Sequence, residues 1–351
     1  VISGAGREGA SRATKRSTGT ATLSDVAHHA GVSAQTVSRS IRTPERVSDL
    51  MLQRVREAIA ATGYVPNLAA SNLASNRSMT VAAIIPTISA SVFADAVGGL
   101  DAVLSPHGYQ LFMGATDYRL EREEEVVRAF LGRRPDGIFI VGTAHTPETA
   151  DLLRASRVPV VEAWNLTDSP LDSLVGFSNA DAIRAMVELV VRKGYRHPTF
   201  AGSLQPGDSR AVERRASFER AVPELLPGES VRVVDSGGGV VSHDVGRHLL
   251  DESLRRHPET DVILFSSDVF AAGALLEANR RGLDVPGRLG ITGFGDFEIG
   301  HHLVPRLTTV AVPNREIGTR AGRLLLDRMT GATEEPAVVD LGYSIVVRES
   351  V

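Results

Sequence analysis

From Thr80 onward, short apolar runs alternate with amphipathic helical stretches, and this alternation leaves few folds open. VAAIIP (81–86), YQLFMG (109–114), GIFIVG (137–142), VPVVEAW (158–164) and LVGFSN (174–179) are spaced by helical patterns near 92–105, 119–131 and 147–155. The pattern restarts with a helix near 180–193, PTFAGS (198–203) and a helix near 210–221. VRVVD (231–235), a helix near 244–256, DVILFSS (261–267), a helix near 269–281 and LGITGF (289–294) complete it. Runs apolar at consecutive positions have no face for water, so they read as parallel strands covered by helices on both sides. About ten strands over roughly 270 residues predict two doubly wound α/β subdomains rather than one sheet. A barrel is the structural alternative, but the polar gap at 164–173 and the irregular 295–310 stretch favour two units with crossovers. The expected partition is 80–178 with 295–331 for the first subdomain, and 179–294 with 332–351 for the second.

The region before this body has a different texture. In LSDVAHHAGVSAQTVSRSI (23–41), Leu23, Val26, Ala27 and Ala30 recur at helical spacing. Ser24 with Asp25 is the expected cap at the front, and Gly31 the expected left-handed stop. Ser33 then caps a second helix that turns Val37 and Ile41 inward and leaves Ala34, Gln35, Ser38 and Arg39 outside. Two helices joined by a Gly-containing turn describe a helix-turn-helix. Gln pairs with adenine, and Arg with guanine or phosphate, so the outer face suits a major groove; a solvated helical hairpin is the plainer alternative. A third helix is expected from Asp49 to Ala61, capped by Ser48, with Leu52, Val55 and Ile59 inward and Gly63 at its end. The helix-turn-helix domain spans 21–66 on this reading.

Charge supports the division. Residues 1–78 carry ten Lys/Arg against five acids, a net +5, which leaves −9 for the rest of a chain whose total is −4. A basic head on an acidic body is what phosphate binding by one end requires. Residues 1–20 are rich in Gly, Ser, Thr and Arg and read as a disordered basic arm. Gly4, Gly6 and Gly9 spell GxGxxG, but no strand precedes them and no helix follows, so a dinucleotide site is not expected. The start is polar with no apolar core of a secretory signal, and no run approaches the ~20 apolar residues of a membrane span, so the cytoplasm is the expected compartment. Cysteine is absent, which removes disulfides, thiol catalysis and Cys-ligated zinc.

Between head and body lies YVPN (64–67) followed by LAASNLASNRS. This piece at 67–79 is short and rich in Ala, Ser and Asn, with Leu68 and Leu73 as its main apolar side chains. It reads as a plain linker, or as a helix too short to be stable without a partner.

Head, linker and double α/β body together resemble the LacI (lactose-repressor) family of bacterial transcription regulators, over 22–348. TLSDVAHHAGVSAQTVSR is close to that family's head signature, and GYVPN with LAASNLA looks like its hinge. RPDGIFIVG, VPVVEAWN, KGYRHPTFAG, SSDVFAAGAL, ITGFGDFEIG and PRLTTVAVP follow at family landmarks in family order. PTISASVFA, AHTPET, VGFSN and GFGDFEIG look most like the gluconate-operon repressor branch. Two departures stand out: Ser267-Asp268 where the family often has Asn-Asp, and a small Ala34 where a base-contacting side chain is common.

The resemblance implies a sequence-specific regulator, a repressor by expectation, that binds a near-palindromic operator as a homodimer. The absence of an added heptad segment before Val351 favours a dimer over a tetramer. On the second helix it assigns Gln35 and Arg39 to base edges, Ser33, Thr36 and Ser38 to phosphates, and leaves Ala34 on the reading face. Asn67 and Leu73 fall in the hinge, where Leu73 matches a leucine that wedges into the minor groove. The implied effector pocket lies between the subdomains, at the carboxyl ends of strands. Its candidates are Ser89, Phe93, Thr143, His145, Glu162, Asn165, Arg210 or Arg214, Asp268, Phe294 and Asp296. Asp268, at the end of its strand, is the leading candidate. Phe93, Trp164 and Phe294 read equally as core aromatics, and Arg214 with Arg215 as a solvated helix face. An Arg there suits a carboxylate and Asp or Asn suits hydroxyls, which fits a sugar or a sugar acid such as gluconate. Release from the operator by the effector is the expectation, with co-repression as the alternative. An enzyme is not expected: there is no nucleophile elbow, phosphate loop or spaced metal cluster, and the adjacent pairs His28-His29 and His301-His302 are poor chelates. No cofactor is expected. A periplasmic sugar-binding protein would share the body but have no use for the head.

Overall fold

The computed structural model describes residues 21–65, 77–88, 91–204, 207–238 and 241–351, and divides into one unit within 1–76 and a second from 77 to 351. The basic arm, the hinge with Asn67 and Leu73, and Ser89 lie outside the described residues.

The first unit is built from α1 (Leu23–Ala30), α2 (Ala34–Arg42) and α3 (Asp49–Thr62). Its core is small: Val26, Ala27, Ala30, Val37, Val55 and Ala58, with Leu23, Ile41, Ile59 and Tyr64 packed at the margin. The cap of α1 is Thr22, two residues earlier than the expected Ser24. Asp25 N–H donates to Thr22 Oγ1 and Thr22 N–H donates to Asp25 Oδ2 at 2.7 Å, a reciprocal capping box. Gly31 ends α1 at φ +62°. Arg54 of α3 donates to the Ala30 carbonyl at 2.7 Å, placing a cation on the negative end of α1. Ser33 caps α2 by accepting from Thr36 N–H at 3.1 Å. Ser48 stands at the start of α3 without a side-chain cap bond.

The second unit holds two six-stranded sheets. The strands of the first are β1 (Thr80–Ile85), β2 (Gln110–Ala115), β3 (Gly137–Val141), β4 (Val160–Ala163), β5 (Ser173–Gly176) and β11 (Val338–Asp340), all parallel, in the order β11-β5-β4-β3-β1-β2. The second has β6 (Pro198–Gly202), β7 (Arg232–Asp235), β8 (Val262–Phe265), β9 (Gly290–Gly295), β10 (Thr308–Ala311) and β12 (Ser344–Val346) in the order β12-β10-β9-β8-β6-β7, with only β12 antiparallel. The helices between them are α4 (Ser91–Leu104), α5 (Leu120–Leu131), α6 (Pro147–Ser156), α7 (Asn179–Arg192), α8 (Ser209–Leu225), α9 (His243–Arg256), α10 (Asp268–Arg280), α11 (Glu298–His302) and α12 (Asn314–Thr330). No described helix is long and apolar enough to cross a membrane.

The crossovers differ from the expected partition. Residues 295–311 stay with the second sheet, because Thr308–Ala311 ladders onto Thr292–Gly295 of β9. The chain returns to the first sheet with α12 and β11, where Val338–Asp340 ladders onto Leu174–Gly176, and closes the second with β12. Three exposed or half-buried residues per strand are too short a signal to separate β11 from β12 by pattern. The α12 crossover is fixed by close backbone approach: a methyl added at Gly318 would lie 1.8 Å from the Ala96 carbonyl oxygen of α4.

Candidate functional site

On the head, the first turn of α2 is held by a knot of side chains. Ser33 Oγ and Thr36 Oγ1 are 2.9 Å apart, and the buried Ser40 hydroxyl donates to the Thr36 carbonyl. Gln35 and Arg39, one turn apart, are both exposed on one face. Ser38 is half-buried beside them. Ala34 is half-buried against the head's apolar core, so it is a packing residue as much as a surface one. The knot uses the Ser33 and Thr36 hydroxyls to fix α2, and leaves Gln35 and Arg39 facing water.

In the second unit, the carboxyl ends of both sheets enclose a cavity of about 750 Å³ of empty space, open in part to solvent. Phe93 and Trp164 meet edge to face at 5.2 Å on one wall, and Phe294 and Phe297 stand on the other. Two arginines of α8 reach in, and both are buried. Arg210 donates through Nε to Asp208 Oδ1 at 3.0 Å, and its guanidinium sits 5.8 Å from the Phe93 ring and 5.7 Å from the Tyr118 ring. Arg214 donates to Asn179 Oδ1 at 2.7 Å and stacks 4.4 Å over Phe294. Among the described residues, each keeps one buried nitrogen without a protein acceptor, Nη1 of Arg210 and Nε of Arg214, and Asn314 Oδ1 in the same lining has no donor. Burial pulls the Arg214 guanidinium down to about 10, against the pull of Asp208, so it is still a cation at neutral pH. Burial disfavours the Asp208 carboxylate, but the charges of Arg210 and Arg214 outweigh it and hold its pKa below the usual range. Burial and the Asp208 charge push the Tyr118 phenol up to about 12, so it is a neutral donor. The cavity's charged lining is thus two guanidiniums and one carboxylate, a net +1.

Of the expected pocket residues, Phe93, Arg210, Arg214 and Phe294 line this cavity. Both arginines are used, so Arg214 is not a solvated face, whereas its neighbour Arg215 is half-exposed and donates to Glu219 at 2.7 Å. Asp268 does not line it. Ser267 and Val269 form the wall there, while Asp268 lies fully buried behind, with Oδ1 accepting from Thr309 Oγ1 at 2.6 Å and Oδ2 from Phe297 N–H at 2.7 Å. Its role is to pin the loop after β9, and burial pushes its carboxyl up to about 6. Asp296 is turned away into an ion pair with Arg348 at 2.7 Å and a bond with His301 at 3.0 Å. His145 is buried between two carboxylates, Nδ1 at 2.6 Å from Glu123 and Nε2 at 3.2 Å from Glu162, and Glu162 also accepts from Leu171 N–H. These three brace the first subdomain rather than face the cavity, and Thr143, beside them, is also absent from the lining. Asn165 is buried just past β4, donating to Glu213 at 3.0 Å, with its Oδ1 unpartnered.

Residues missed by the sequence reading fall into two kinds. Ser203, Asp208, Ser266 and Asn314 follow β6, β8 and β10, so the rule that ligands meet strand carboxyl ends would have found them. Tyr118 has no such signal. It sits in a turn where Asp117 and Tyr118 both have positive φ (52° and 58°), and its carbonyl packs so tightly on Gly207 that a methyl there would lie 1.7 Å away.

A three-helix head with an exposed Gln/Arg face, and a two-sheet body enclosing a charged cavity, define a ligand-responsive DNA-binding regulator. Residues 22–67 match the family described as bacterial regulatory proteins, lacI family, and 187–351 match a periplasmic binding protein-like domain. The HTH-type transcriptional regulator GntR of Escherichia coli K12 is 33% identical over 325 residues, 92% of this chain and 96% of that protein. A LacI-family transcriptional regulator from Silicibacter pomeroyi superposes with a TM-score of 0.87 at 35% identity, covering 94% of this chain and 99% of that one. The transcriptional regulator CelR in complex with cellobiose superposes at 0.67 with 27% identity, covering 94% and 100%. The chain belongs to the LacI family of bacterial regulatory proteins. It is a DNA-binding transcriptional regulator, not an enzyme.

Proposed function

We propose that this regulator acts in the cytoplasm as a homodimeric repressor of a sugar-acid utilisation operon, and that the ligand of its cavity is a polyhydroxy monocarboxylate such as gluconate. The observation that carries the reading is the pair of buried guanidiniums, each with an N–H lacking an acceptor among the described residues. A buried unsatisfied donor costs ~1–3 kcal/mol, and a carboxylate removes that cost while matching the net +1 of the lining. Asn314 Oδ1 and Asp208 supply acceptors for hydroxyls, and the aromatic walls cover the carbon face. A neutral sugar leaves the charge unmatched, although the CelR relative is seen with cellobiose. On the head, Gln35 and Arg39 read base edges while Ser33, Thr36 and Ser38 serve phosphates, and Leu73 of the hinge wedges into the minor groove at the centre of a near-palindromic site.

Calorimetric titration of the full chain with gluconate and with glucose tests the ligand class. Gluconate should bind about tenfold tighter or better, and Arg214→Gln should remove most of that preference, since a charge-assisted hydrogen bond contributes ~1.5–3 kcal/mol. Equal affinity for the two, or preference for glucose, rejects the sugar-acid reading and leaves the family assignment untouched. Leu73→Ala should lose operator binding in a gel shift while gluconate binding survives; retained operator binding rejects the wedge.

A further inference from the structure

A second concave site lies at the opposite end of β4 from the effector cavity. Trp164, just past the carboxyl end of β4, lines the effector cavity, whereas Val160, its first residue, lies in the floor of a separate hollow with about 620 Å³ of empty space. That floor is apolar: Leu153, Val158, Val160 and Leu171. Around it stand Arg154 and Arg157 from the end of α6 and Arg328 from the last turn of α12, with one carboxylate, Asp172.

The charges do not cancel. Asp172 is already engaged twice, accepting from Val160 N–H at 2.9 Å and facing Arg328 at 3.1 Å. Among the described residues, Arg154 has only the long, solvent-exposed contact with Asp151 at 3.6 Å, which contributes little. The Arg157 side chain has no hydrogen-bond or ion-pair partner among the described residues. Arg157 is also the left-handed cap of α6, at φ +56°, a position where glycine is unstrained and an arginine is not. An arginine is held there at a conformational cost, beside two others, on a subunit whose body carries a net −9.

We infer that this hollow is a second ligand site, for a small organic phosphate whose phosphate group is gathered by Arg154, Arg157 and Arg328 and whose carbon part lies on the Leu153–Val158–Leu171 floor. Guanidinium groups match phosphate oxygens in pairs, and a phosphate near neutral pH supplies the charge that two of the three lack. A concave apolar floor favours a small molecule over the ridge of a DNA backbone. The site borders the start of the body: Arg77 donates to the carbonyl of Met329, the residue after Arg328.

The test is calorimetric titration of the full chain at low ionic strength with phenyl phosphate and with inorganic phosphate. Phenyl phosphate is expected to bind saturably at one site per chain, more tightly than inorganic phosphate. Arg157→Ala and Arg154→Ala, both at exposed positions, should each weaken it about tenfold, the cost of one charge-assisted pair, with unchanged melting. Arg214→Gln, which disables the effector cavity, should leave it intact. Absence of saturable binding overturns the inference. So does binding that Arg214→Gln abolishes and Arg157→Ala spares, because the phosphate is then in the effector cavity. A third overturning result is operator affinity and salt dependence reduced by Arg154→Ala and Arg157→Ala with no phosphate binding to the free protein, which assigns the arginines to DNA phosphates.

Discussion

Ionisable side chains in this body separate into those that serve a ligand and those that brace the scaffold, and burial with partner count is what distinguishes them. Among the described residues, Arg210 and Arg214 keep unpartnered N–H groups inside a cavity, whereas Asp268, His145 and Glu162 have their polar atoms engaged by protein. All five are chemically plausible ligand contacts in the sequence, since each lies near the carboxyl end of a strand or on the helix that follows one. What the sequence does not carry is direction: Asp268 turns from the cavity toward Thr309, forty-one positions away in the chain. His145 gives a testable signature. Burial disfavours its charge, but hydrogen bonds and charges from Glu123 and Glu162 overcome this and push it up to about 9 from 6.5. A folded pKa above the unfolded one means the stabilisation is fully present below pH 6.5 and is lost as pH rises through about 9. Thermal melts should therefore show the melting temperature of the parent falling across this window, while His145→Gln starts lower by about 3 kcal/mol of stability and shows a flatter profile. A variant as stable as the parent at pH 7, or with the same slope, excludes a charged His145.

At the scale of elements, strand and helix positions were legible as far as β9, because a parallel strand buried on both faces is written as an uninterrupted apolar run. Beyond it, the stretch 295–310 reads as irregular yet holds α11 and most of β10, and the 17-residue α12 that follows was not read. GIFIVG and DVILFSS correspond to β3 and β8 within a residue or two. The helix-turn-helix was equally readable from Gly31, Ser33 and the Val26/Val37 stripe. The crossovers were not. β11 and β12 are three residues each and only partly buried, so period and burial carry no signal, and their sheet membership is decided by the partner strand. α12 illustrates the same point, since its packing on α4 rests on glycines that a hydrophobic pattern ignores. Gly318→Val should destabilise the body by about 1–3 kcal/mol or more in urea denaturation, because the added carbons meet the Ala96 carbonyl and no rotamer avoids it. A neutral substitution would mean that α4 and α12 separate easily, and the close approach would then not be a constraint. On the head, Thr22→Ala breaks the capping box of α1 and should cost about 1 kcal/mol of head stability, seen as earlier loss of helical signal and weaker operator binding.

For the whole molecule, head and cavity are separate structures whose cooperation has to appear as a coupling free energy. If gluconate binds the cavity and favours the state that does not hold DNA, then saturating gluconate weakens operator affinity by some factor. Thermodynamic linkage requires operator DNA to weaken gluconate affinity by the same factor. For a regulator of this kind the coupling should be ~1–3 kcal/mol, a change of about 5- to 150-fold in each dissociation constant. Gel shifts across a gluconate series and calorimetry with and without an operator duplex measure the two sides independently. Arg214→Gln should reduce both factors together, because it lowers gluconate's differential affinity and not merely its binding to one state. Matched factors that strengthen both affinities would make the ligand a co-repressor acting at the same cavity. A factor of one on both sides, with gluconate still bound, would leave a sugar-acid site with no hold on the head, and the regulatory ligand would have to be sought at the arginine-lined hollow beneath β4.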